Sequence, residues 1–104
     1  MLREAIRIDH MLGNVLDVAL DLGRLASVLV LAGLGGKAAR LLSSSQALTE
    51  KLGAGAFWWA QRRNQQTLAS IRAQLDEAAV ADAWERGRAL TVDEAVSLAI
   101  EAVD

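Results

Sequence analysis

Asn14-Val15-Leu16-Asp17-Val18-Ala19-Leu20-Asp21-Leu22-Gly23-Arg24-Leu25-Ala26-Ser27-Val28-Leu29-Val30-Leu31-Ala32 is the stretch that decides the fold. Its polar residues Asn14, Asp17, Asp21, Arg24 and Ser27 recur three or four apart, the spacing that lines them up as one narrow stripe on a helix. Nearly all the rest of the circumference is apolar. The reading predicts a helix from Asn14 to about Ala32 that is buried on most sides, with the stripe as its solvated edge.

On its N-terminal side, Leu2 to Met11 reads as a short helix with Leu2, Ile6, Ile8 and Leu12 apolar, closed by Gly13 and followed by Asn14 as a cap. On its C-terminal side, Gly33-Leu34-Gly35-Gly36 reads as a turn. A third helix is expected from Lys37 to about Leu52, with Ala38, Leu41, Leu42, Leu48 and Leu52 on one face and Gly53 ending it. Beyond Gly53-Ala54-Gly55, a fourth helix runs to about Leu75, with Phe57, Asn64, Leu68, Ile71 and Leu75 stacked on one side. Asp76 to about Arg86 makes a short fifth helix containing Val80 and Trp84, stopped by Gly87. Thr91-Val92-Asp93-Glu94 matches a capping box, in which the Thr hydroxyl and the Glu carboxylate each take a free amide. It opens a sixth helix with Ala95, Val96, Ala99, Ile100 and Val103 on one face.

Composition agrees with this pattern. Leu and Ala supply 37 of the 104 residues and there is no Pro, which favours an all-α fold. Six helices with very short connections imply antiparallel neighbours, hairpins stacked as a bundle or short solenoid. The length suits one domain, 1–104. The absence of Cys and the single His remove disulfides, thiolate metal sites and cysteine nucleophiles. No cofactor and no metal are expected, and the chain reads as a non-enzyme. A net charge of −2 argues against binding nucleic acid or anionic lipid. The opening Met1-Leu2-Arg3-Glu4-Ala5-Ile6-Arg7-Ile8-Asp9-His10 carries charge where an export signal needs a continuous apolar run. The longest apolar run, 25–36 between Arg24 and Lys37, is far short of the roughly 20 residues that span a bilayer. No membrane and a cytoplasmic location are expected.

A family resemblance rests on several segments. Leu2-Arg3-Glu4-Ala5, Leu12-Gly13-Asn14, Gly35-Gly36-Lys37-Ala38-Ala39-Arg40-Leu41-Leu42 and Leu48-Thr49-Glu50-Lys51-Leu52-Gly53 look like consecutive pieces of tetratricopeptide-like repeats. More distinctively, Ala83-Trp84-Glu85-Arg86-Gly87-Arg88-Ala89-Leu90-Thr91-Val92-Asp93-Glu94-Ala95-Val96 resembles the closing segment after the helical repeats of LuxR-type and AfsR-like signal-transduction ATPase regulators. The resemblance divides the chain into repeat-like hairpins, 1–53, and closing helices, 54–104. The chain departs from the family pattern at Val80, at Gly53-Ala54-Gly55 and at Ser43 to Ser45, and it is too short for the ATPase module. What the resemblance implies is therefore a regulatory scaffold segment, without the family's ATP or DNA chemistry.

Several constellations have to be weighed. Lys37 after Gly33, Gly35 and Gly36 invites a phosphate-loop reading, but Leu31 stands where the motif needs its first Gly and Ala38 where it needs Ser or Thr. The segment reads as a structural turn. Asp17 and Asp21 lie four apart with Arg24 on the same stripe, a polar edge rather than an acid/base pair. His10 sits beside Asp9 near a helix end, where a cation is favourable. Trp84, four residues from Val80, reads as a core anchor. Phe57-Trp58-Trp59 followed by Arg62 and Arg63 holds the residue types enriched at binding hot spots. On a helix Trp59 points away from the Leu68 and Ile71 stripe, so either one indole is exposed to a partner or a loop tucks both rings inward.

Two functions follow. The first is a non-catalytic helical-repeat module for protein interaction, expected to form a homodimer. Leu2 to Met11 looks like the second helix of a repeat whose first helix is absent, and an uncapped solenoid end leaves apolar surface to be covered. The candidate interface is Leu2, Ile6, Trp58, Trp59, Arg62 and Arg63. The alternative is a small ligand-binding domain or enzyme with a pocket between helices, anchored by Asn64, Arg72 or Asp17.

Overall fold

The computed structural model of the chain describes residues 2–53 and 58–102, without the side chains of Leu2, Arg3, Trp58 and Trp59. Six helices follow one another: α1 (Leu2–Met11), α2 (Val15–Leu31), α3 (Gly35–Lys51), α4 (Trp58–Gln74), α5 (Glu77–Arg88) and α6 (Val92–Ala102). No strand occurs among the described residues. Phe57 and Val103, assigned above to helix faces, lie outside them.

The helix ends follow local chemistry. Gly13 (φ +73°) and Gly33 (φ +81°) adopt the left-handed conformation. At each, the glycine N–H returns to the carbonyl three residues back, and the next N–H to the carbonyl five back, Asn14 to Asp9 and Leu34 to Leu29. This is the Schellman stop, which satisfies carbonyls a helix end would otherwise leave bare. Asn14 takes the N-cap position of α2 without a side-chain cap bond. Before α6 the capping box is complete: Thr91 N–H donates to Glu94 Oε1 at 2.9 Å, and Glu94 N–H donates to Thr91 Oγ1 at 3.1 Å. Thr91→Ala is expected to destabilise the chain by about 1 kcal/mol and to lower the melting temperature by roughly 4–8 °C, read by thermal circular dichroism.

Two glycine readings are corrected. Gly35 and Gly36 lie inside α3, which starts two residues before Lys37, and Gly87 lies inside α5, which continues to Arg88. Gly87 is buried because α5 approaches α3 very closely there. A Cβ on it would collide with the Arg40 carbonyl oxygen and come 2.8 Å from the Ser43 Cβ.

The core is built on α2 and α3. Val18, Ala19, Leu22, Leu25 and Ala26 of α2 and Ala38, Ala39, Leu41 and Leu42 of α3 are almost wholly buried, together with Ile6 and Ile71. The α2–α3 and α3–α5 contacts are the largest, and α6 closes the molecule by touching α1, α2 and α3. The last helix thus returns to the first, so the packing is that of a bundle. Small residues set its tightness. Ser45 Oγ donates to the Ala19 carbonyl oxygen of α2, and Ser43 Oγ to the Trp84 carbonyl oxygen of α5. Ser43 and Ser45 let α3 lie close to both neighbours while bonding their backbone, and the Ser44 hydroxyl between them is buried without a hydrogen-bond partner.

The polar stripe of α2 also needs correction. Asp17 and Arg24 are exposed, but Asp21 is only 4% exposed. It lies beside Asp9 of α1, and Arg24 Nη1 is 3.7 Å from its Oδ1. Burial first, and then the neighbouring Asp9, push the Asp21 carboxyl up to about 7. Its Oδ2 is buried without a hydrogen-bond partner.

Candidate functional site

α4 and α5 are consecutive and joined by only two residues, yet they barely touch. Each is fastened elsewhere. α4 packs on α2 and α3, with Ala60, Thr67 and Ile71 buried, and its end is tied down by Gln74 Nε2 donating to the Val30 carbonyl oxygen at 2.6 Å. α5 is held on α3 by the Gly87 approach, by the Ser43 bond, and by Arg88 Nη2 to Glu50 Oε2 at 3.0 Å. The two helices diverge, and a groove of about 840 Å³ opens between them.

Helical geometry decides what lines it. With 60, 67 and 71 directed inward, residues 68, 72 and 75 come round to the edge facing α5. The groove is accordingly lined from α4 by Leu68, Arg72 and Leu75, and from α5 by Glu77, Val80, Ala81, Trp84, Glu85 and Arg88. Leu68, Leu75, Val80 and Trp84 are half-buried and rest on the core. Ala81 and the four charged residues are exposed. The result is an apolar floor carrying one indole, with two cations and two carboxylates above it. Beside it, across Leu68 and the Glu50–Arg88 pair, a smaller recess of about 340 Å³ is lined by Gln46, Thr49, Glu50, Gln61, Asn64, Gln65 and Leu68.

The candidate residues are scattered with respect to this groove. Ile6 is fully buried in the core; no surface of the single chain includes it. One helical step changes its neighbours' direction: Ile8 and Met11 of α1, and Leu12 after it, are the exposed apolar residues of that region. Arg62 is exposed, and the half-buried Arg63 donates from Nη2 to Asn64 Oδ1 at 3.3 Å. Burial and then the Arg24 charge make Arg63 easier to deprotonate than an ordinary arginine. The side chains of Leu2, Trp58 and Trp59 lie outside the described residues. Of the three polar anchors, Arg72 lines the main groove, Asn64 the smaller recess, and Asp17 neither. Trp84, read as a core anchor, has one face on the core and the other in the groove. Its spacing with Val80, Ala81 and Arg88 was visible in the sequence; what hid the groove was the expectation that α4 and α5 would pack as a hairpin.

The remaining polar features are structural. His10 Nε2 lies 2.6 Å from Asp93 Oδ1 and joins the end of α1 to the start of α6. Lys37 is exposed in the first turn of α3. Among the described residues no three His, Asp or Glu side chains stand close enough to hold a metal ion, and no helix is long and apolar enough to cross a membrane. Comparison of the chain with protein-family models, with curated proteins and with solved structures finds no match.

Proposed function

We propose that the chain is a non-catalytic helical interaction module whose α4–α5 groove receives a helix of a protein partner. The observation that carries this reading is the groove itself: half-buried Leu68, Leu75, Val80 and Trp84 form a continuous apolar floor between two helices anchored separately. Two helices splayed over an apolar floor leave the place of a third helix vacant, and amphipathic helices dock in such places through residues at i, i+3, i+4 and i+7. Trp84 supplies the kind of aromatic anchor on which interface energy concentrates, and the charged rim can select among partners. The resemblance of Ala83 to Val96 to the closing segment of regulator repeats, which implies a scaffold role, points the same way.

Selection of helical peptides displayed on phage tests the reading. Peptides with that apolar spacing are expected to be enriched on the wild-type chain and to lose binding to Ala81→Arg, which fills the groove from an exposed position. Enriched peptides indifferent to Ala81→Arg, or no enrichment at all, would contradict it.

The groove's volume also lies within the roughly 300–1,000 Å³ usual for small-molecule sites, which favours a second reading, an amphipathic small ligand held by Arg72 over Trp84. In that case a thermal-shift screen against metabolites would raise the melting temperature of the wild-type chain and not of Ala81→Arg.

A further inference from the structure

We infer that the helix received by the α4–α5 groove is α5 of a second copy of this chain, laid antiparallel on the first. The inference rests on the docking role proposed above and names its occupant.

The sequence of α5 is symmetric along the groove. Glu77, Ala81, Trp84 and Arg88 all line the groove, and they follow one another at intervals of four, three and four. At 100° per residue these four fall within a narrow arc of one helical face. The spacing reads the same in both directions, so an identical helix run antiparallel meets it in register. A two-fold axis between Ala81 and Trp84 sets Glu77 of each copy opposite Arg88 of the other and the smallest of the four side chains opposite the largest. Both oppositions are complementary: carboxylate against guanidinium, and an indole over a methyl group. A closed two-fold interface requires this property, since the same patch must serve as both surfaces. A register that sets Glu77 opposite Glu85 brings like charges together and is disfavoured.

The surroundings suit that occupant. Leu68 and Leu75 of α4 form the second wall, so the incoming α5 is flanked by apolar side chains on both sides, and the four helices of the two grooves close around one seam. Arg88 already donates from Nη2 to Glu50 of its own chain, and a guanidinium has five N–H donors in all, enough for a carboxylate of each copy.

Sedimentation equilibrium over a wide concentration range tests this, in a Glu50→Gln background that removes the intrachain partner of Arg88. The parent variant should form a concentration-dependent dimer. Glu77→Arg and Arg88→Glu should each weaken it by about tenfold, because each change turns two symmetric attractions into repulsions. The double variant should return to within about threefold of the parent, since the charges are then exchanged and not lost. All of these positions are exposed, and circular dichroism confirms that each variant is folded. A dimer indifferent to both single changes and to Ala81→Arg would overturn the inference, as would single losses that the double variant does not restore. A parent that stays monomeric at every concentration would overturn it too; if displayed peptides still bind the groove in that case, the docking role survives and the occupant is foreign.

Discussion

Gly87→Ala is expected to destabilise the chain by about 3 kcal/mol and to lower its melting temperature by roughly 12–24 °C. In an ordinary helix interior the same change is favourable by up to about 1 kcal/mol, because alanine loses less conformational freedom. Geometry reverses the sign here. The added Cβ would collide with the Arg40 carbonyl oxygen and lie 2.9 Å from its carbon, backbone atoms of α3 that no rotamer change can move. α5 must therefore retreat, and the Ser43 bond to the Trp84 carbonyl and the packing of Ala83 are strained together. Gly36→Ala is the internal control. It lies near the start of α3, has no positive φ, and an added Cβ meets nothing within 4 Å, so it should leave stability unchanged or raise it by about 0.5 kcal/mol. Urea unfolding followed by circular dichroism measures both. Equal effects at the two glycines would mean that α5 does not press on α3 as described. A retreat of α5 would also reshape the groove, so Gly87 links the packing of the bundle to its proposed binding face.

The second large effect is electrostatic. Asp21 is buried beside Asp9, and its carboxyl is pushed up to about 7, against roughly 3.9 in an unfolded chain. Between about pH 4 and pH 7 the folded chain therefore holds a proton at Asp21 that the unfolded chain has released, and folding stability falls as pH rises across that window. The loss is on the order of 2–4 kcal/mol, the upper figure being the whole shift at 1.36 kcal/mol per unit. Asp17 adds to the upward push, and Arg24 opposes it. Asp21→Asn keeps the shape and has no charge to bury. It should match the wild type near pH 4 and exceed its stability by about 2 kcal/mol near pH 8. The measured quantity is the difference between the two chains at each pH, in which the other carboxylates largely cancel. A difference independent of pH, or one favouring the wild type at pH 8, would remove the buried acid from the account.

What the sequence makes legible is local. Gly13, Gly33 and Gly53 mark helix ends because a left-handed residue after the last turn is a property of a few neighbouring residues, and Thr91 with Glu94 carries its capping bonds within four positions. The apolar circumference of α2 likewise announces its central place. Gly87 carries the same local signal as Gly33, and only Arg40 and Ser43, more than forty residues upstream, make it a contact point and not a stop. Asp21 belongs to a polar stripe that reads as solvated until α1 folds over it and brings Asp9 alongside. Ile6 and Ile8 share a short apolar helix, yet one is wholly buried and the other half exposed. The groove was half legible: Arg72 stood out as a polar anchor and Trp84 as an anchor of the core. Their meeting depends on α4 settling into the angle of α2 and α3 while α5 settles against α3, an arrangement no short window of sequence contains.

The claim that the α4–α5 groove is covered by a second copy is tested most directly by a single thiol placed inside it. The chain has no cysteine, so Ala81→Cys introduces one reactive group at the centre of the seam, and Ser97→Cys introduces one on the exposed side of α6, outside the groove. Maleimide labelling of Ala81→Cys is expected to slow progressively as protein concentration is raised, while labelling of Ser97→Cys keeps a constant rate. Equal and concentration-independent rates at the two positions would contradict it.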